Sequence, residues 1–96
     1  MRELIRSTKY DEDLIRIWRY VAADSPEAAT RLLQRIDERV EMLSRNPFVG
    51  ECQPQFGETT RRIIEGSYLI FYDVHPDTVH VLRVFHGARK LDTLDN

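Results

Sequence analysis

The chain has 96 residues, 42% of them hydrophobic and 31% charged, with a formal net charge of −2 and a single cysteine. This suffices for one core in one domain spanning residues 1–96; it excludes an internal disulfide and a cysteine-ligated zinc, and no run approaches the ~20 apolar residues of a membrane helix. The negative balance also argues against a protein that grips nucleic acid over its whole surface, since phosphate neutralisation supplies most of such affinity.

The opening MRELIRSTKYDED lacks the apolar core of a secretion signal, which predicts a cytoplasmic chain. Residues 3–7, ELIRS, form a short candidate strand. Ser7 or Thr8 then caps a helix over about 8–22, with Asp11, Glu12 and Asp13 in its first turn, where the macrodipole favours acids. Tyr10, Leu14, Ile17, Trp18 and Val21 mark its apolar face. Ser25-Pro26 is a cap followed by the one residue that needs no N–H at the first helical position. From there Ala29, Leu32, Leu33, Ile36, Val40 and Leu43 carry the same stripe to about residue 44, where Asn46-Pro47 ends it. Glu27–Arg31 and Glu41–Arg45 stand at the favourable i,i+4 spacing, each pair worth about 0.2–0.5 kcal/mol. The short gap predicts an antiparallel helical hairpin.

Residues 46–60, NPFVGECQPQFGETT, read as a loop that contains the free thiol of Cys52. The period then changes. RRIIEG, SYLIFYDV and TVHVLRVFH read as strands, the last two joined by the turn residues His75-Pro76-Asp77. The order β-α-α-β-β-β predicts an α+β domain, a helical hairpin on one face of a mostly antiparallel four-stranded sheet.

Strict alternation in the last strand puts Val79, Val81, Arg83 and Phe85 on one face and His80, Leu82, Val84 and His86 on the other. It predicts Arg83 at the margin of the helix-free face, near the strand end where His86, Arg89 and Lys90 gather. Residues 61–90 hold five basic side chains (Arg61, Arg62, Arg83, Arg89, Lys90) against three acidic ones (Glu65, Asp73, Asp77), so any positive field is local. Arg61 and Arg62 point to opposite faces, and one of them joins this cluster. The plainer alternative is a solvated strand end with Arg83 paired to Asp73. His75, His80 and His86, without a nearby cysteine, do not make a metal site, and no cofactor motif is present.

The segment STKYDEDLIRIWRY (7–20) resembles the first-helix signature of the RelE/ParE toxin superfamily, in particular its ParE branch. Leu43, Pro47 and Gly50 are similar to that family's Leu-x3-Pro-x2-Gly loop. Arg61-Arg62, Tyr68–Tyr72 and Arg83-Val84-Phe85-His86-Gly87-Ala88-Arg89 are similar to its sheet and C-terminal elements. The resemblance covers about residues 4–90. It implies the toxin of a type II toxin–antitoxin pair, neutralised in a hetero-oligomer by a cognate ParD-like antitoxin. It also implies a choice of target: ParE-like members poison DNA gyrase, whereas RelE-like members cleave messenger RNA in the ribosome.

Metal-free cleavage at a 2′-OH needs a base, an acid and cationic stabilisation, for which His86, Arg83 and Arg89 are candidates. The lysine-poor middle of the chain and the acidic tail LDTLDN favour the gyrase reading. A third alternative is a non-toxic binding remnant. For gyrase the expected target-binding residues are Arg62, Arg83, His86, Arg89 and Lys90. For an antitoxin segment that folds across an apolar groove they are Trp18, Leu32 and Phe48.

Overall fold

The computed structural model describes residues 1–88. Its elements are β1 (Glu3–Arg6), α1 (Thr8–Ala22), α2 (Pro26–Met42), β2 (Glu51–Cys52), β3 (Thr60–Glu65), β4 (Tyr68–Val74) and β5 (Thr78–His86). Both helices begin where the sequence places a hydroxyl. Ser7, with extended backbone, accepts from the Tyr10 amide, and Ser25 accepts from the Ala28 amide with Pro26 just inside.

The strands form one sheet in the order β1-β5-β4-β3-β2. β1 runs parallel to β5, and the other neighbours are antiparallel. The sheet therefore has five strands, not the expected four. The addition is β2, two exposed residues inside the predicted loop, pairing Glu51 with Arg62 and Cys52 with Arg61. Two residues are too few to show a period, and neither is apolar enough to mark a core.

The helical hairpin covers one face. Tyr10 and Ile17 of α1, and Leu32, Ile36 and Val40 of α2, pack with Ile63, Tyr68, Ile70, Tyr72, Val74, Val79, Val81 and Val84. Each fully buried aliphatic side chain contributes about 1.5–3 kcal/mol relative to an exposed one. Helix α2 is further tied down at its rim. Arg6 donates to Asp37 at 2.9 Å and to Glu41 at 3.0 Å, so Glu41 engages β1.

Alternation in β5 does not run unbroken. Val81 pairs with Tyr72 and Arg83 with Phe71, leaving Leu82 as the extra residue of a β-bulge. The expected grouping of Val79, Val81, Arg83 and Phe85 is thereby corrected. After the bulge Val84 and His86 take up the helix-covered side, because Val84 packs in the same core as Val79 and Val81. Phe85 joins Phe71 on the other side at a ring separation of 5.4 Å, and Phe56 packs edge-on against Phe71 at 5.3 Å.

Candidate partner-binding surfaces

β1 ends at Arg6, opposite Val81, so the rest of β5 would expose a bare edge. Two residues from the start of α1 cover it. The Ser7 hydroxyl donates to the Leu82 carbonyl at 2.7 Å, and the Asp13 carboxylate accepts the Val84 amide at 3.0 Å. The same carboxylate, 2% exposed, receives Arg83 through Nε at 2.8 Å and through the guanidinium NH2 at 3.0 Å, and Arg16 at 3.1 Å. Donating to Asp13 raises the Arg83 pKa above its ordinary value, outweighing the lowering caused by burial.

Arg83 is thus committed to an internal ion pair, not held open at the tip of the sheet, and its partner is Asp13 instead of Asp73. Asp73 accepts from the Thr60 hydroxyl. Asp13 had a legible signal. It lies three residues after Tyr10 and four before Ile17, an acid on the apolar stripe and not merely a first-turn charge.

The other described members of the expected cluster, His86 and Arg62, stand apart from each other. The His86 ring meets Tyr68 edge-on at 5.3 Å, with its Nδ1 buried, on the side of β5 that carries Val84. Arg62 shares a cross-strand row with Phe71 and Arg83, and approaches Glu51 at 3.6 Å. It is therefore Arg62, not Arg61, that faces the same side as Phe71. Arg89 and Lys90 lie outside the described residues. A cleft of about 260 Å³ lies beside α1 and β5, lined by Asp13, Arg16, Ile17, Tyr20, Val84, Phe85 and His86.

The outer face of the hairpin is more open. Trp18, 37% exposed, donates from its indole to the Thr30 hydroxyl at 3.4 Å. With Leu14 and Leu33 it forms a shallow groove that ends at Asp37 and Glu38. Leu32 does not reach this groove. Neighbouring helix positions are about 100° apart, which turns Leu32 into the core (9% exposed) and leaves Leu33 at the rim. The expected contact residue Leu32 thus stands apart from Trp18, at a cleft it lines with Arg35, Glu65, Tyr68 and His86.

Phe48 is 57% exposed. Its loop is built on Gly50, whose amide donates to the Tyr72 hydroxyl at 2.9 Å. A Cβ there would collide with that hydroxyl and stand 2.8 Å from the Arg62 carbonyl. Arg61 reaches into the same loop, donating to the Phe48 carbonyl at 3.1 Å and the Gly50 carbonyl at 2.7 Å.

Residues 4–91 match the family model described as "ParE toxin of type II toxin-antitoxin system, parDE". Among solved structures, a chain of the chromosomal ParDE toxin–antitoxin system from P. aeruginosa superposes with a TM-score of 0.75 at 26% identity, over 90% of this chain and 96% of that one. A chain of the RelBE2 toxin–antitoxin complex from Mycobacterium tuberculosis gives 0.61 at 22% identity, covering 88% and 96%. A chain of the RelB–RelE antitoxin–toxin complex from Methanococcus jannaschii gives 0.58 at 21% identity, covering 93% and 96%. The last two likenesses are of fold. A search of curated protein sequences finds no significant match.

Proposed function

Because the chain belongs to the ParE toxin family of type II toxin–antitoxin systems, we propose that it poisons DNA gyrase and is held inactive in the cytoplasm by a ParD-like antitoxin in a hetero-oligomer. The observation that carries the choice of target is the Asp13–Arg83 pair. Cleaving RNA without a metal calls for an uncompensated cation and a proton-transfer group around one phosphate. Arg83 instead spends Nε and one NH2 on a buried carboxylate, and His86, three residues further along, faces the other side of the strand. Docking on a large protein–DNA assembly does not require such a constellation, because shape and a few anchoring side chains suffice. The groove along Leu14, Trp18 and Leu33 suits an amphipathic antitoxin segment.

Arg89 and Lys90 stay in the proposal on sequence grounds, as the charged end of the single toxin domain. The purified chain, incubated with gyrase, ATP and supercoiled plasmid, is expected to leave linear DNA after detergent and protease treatment. Arg89→Ala should abolish that product. Translating ribosomes given the same chain should keep their transcripts whole. Cut transcripts without trapped DNA would overturn the gyrase reading in favour of ribosome-dependent cleavage.

A further inference from the structure

Most arginines of the folded region have a carboxylate at ion-pair distance: Arg6, Arg16, Arg35, Arg39, Arg62 and Arg83 each do. Arg2, Arg19, Arg31, Arg45 and Arg61 do not, and of these Arg2 and Arg61 share one aromatic ring. Arg2 donates from Nε to the His75 carbonyl at 2.9 Å, and Arg61 donates only to the carbonyls of Phe48 and Gly50. Neither has a carboxylate partner among the described residues. Their guanidinium carbons lie 5.2 and 5.1 Å from the centroid of one ring, Phe48, and therefore no more than about 10 Å from each other. At that separation salt at physiological strength screens their repulsion only in part. The ring's electron-rich face offsets some of it, but an anion would relieve it directly.

The spot lies where β1, β3 and β5 begin and β4 ends, at the opposite end of the sheet from His86. Met1, Phe48 and Val49 around it are 90%, 57% and 57% exposed. Arginine and aromatic residues beside exposed aliphatics are the composition of an interface anchor, not of a solvated loop. Its geometry is also set in advance. Arg2 and Arg61 are held by backbone carbonyls, and the loop is held by the Gly50–Tyr72 hydrogen bond, so little ordering remains for a partner to supply.

We propose that Arg2, Phe48 and Arg61 form a docking site for an acidic peptide segment. Carboxylates of that segment would pair with the two guanidiniums, and an aliphatic side chain beside them would lie on Phe48 and Val49. The proposal rests on the antitoxin reading above only for the natural source of that segment. Nucleic acid fits less well. Two cations on a chain of net charge −2 make a short footprint for a phosphate backbone, and the aliphatic surface beside them has no counterpart there.

The test is a titration of the isotopically labelled full chain with a short synthetic peptide alternating glutamate and leucine, followed by NMR. The shifts are expected at Arg2, Phe48, Val49 and Arg61. Arg2→Gln and Phe48→Ala, both at exposed or half-buried positions and checked for an unchanged fold, should each weaken binding by about ten-fold or more. Added salt should weaken it further. A glutamine–leucine peptide should leave these resonances in place. Unchanged affinity in both variants, shifts confined to other surfaces, or tighter binding of oligothymidylate at the same residues would overturn the proposal. The titration contains neither gyrase nor antitoxin. A failed gyrase assay therefore leaves its result standing, and a failed titration leaves the toxin reading standing.

Discussion

Asp13 illustrates how one side chain can decide what another is available for. Its two oxygens serve Arg83, Arg16 and the Val84 amide, and its own side chain is 3% exposed. Asp13→Ala leaves an amide and a half-buried guanidinium without their acceptor, and should cost about 3 kcal/mol in urea unfolding. Arg83→Met should cost less, because the carboxylate keeps its other two donors. If the two substitutions prove additive in a double-mutant cycle, the pair is not the unit described above. Tyr10 and Tyr72 give a second handle. Burial raises both phenols above the ordinary value of 10.0. The folded chain therefore holds these protons more tightly than the unfolded one. That stabilisation is complete below pH 10.0 and is lost as pH rises towards the folded values. The urea midpoint should fall above pH 10, and Tyr10→Phe should make the fall shallower; an equal slope in the variant would remove Tyr10 as its source.

Between α1 and β5 the interaction is more than one of packed surfaces. The first helical turn completes the sheet edge that β1 leaves unfinished after Arg6. Ser7 serves both elements at once, accepting the Tyr10 amide at 3.0 Å and donating to Leu82 at 2.7 Å. Ser7→Ala should therefore cost about 2 kcal/mol, more than the ~1 kcal/mol typical of a lost cap, and thermal unfolding reads the difference. The loop from α2 to β2 carries its own constraint. Gly50→Ala forces a methyl group against the Tyr72 hydroxyl and should destabilise by about 1–3 kcal/mol. Tyr72→Phe in the same chain should recover part of that loss. The Leu-x3-Pro-x2-Gly spacing thus has a physical reading: Leu43 and Pro47 are buried and Gly50 is where an aromatic hydroxyl meets the backbone.

At the scale of the molecule, Trp18 separates stability from binding. It is half out of the core, so Trp18→Ala should cost the isolated chain less than about 1.5 kcal/mol while weakening antitoxin capture at least ten-fold by calorimetry. The helices, the three long strands and the family were legible along the chain. Caps, apolar periods and turn residues act over a few neighbouring positions, and several such signals in the right order are hard to imitate. The cationic cluster was read from the same local proximity, which carries no sign that Arg83 is tied to Asp13. Arg83 and His86 stand three residues apart and face opposite sides of β5, and the extra residue at Leu82 exchanges which side each of them takes. The acid that claims Arg83 is 70 residues away. Nor does any local pattern join Arg2, Phe48 and Arg61, which meet because β1, the α2–β2 loop and β3 converge at one end of the sheet. Secondary structure and kinship were determined by the sequence through short-range steric and hydrogen-bonding rules. Which charges remain free for a partner was decided only by the tertiary fold, because an ion pair depends on distance in space, and chain separation does not set that distance.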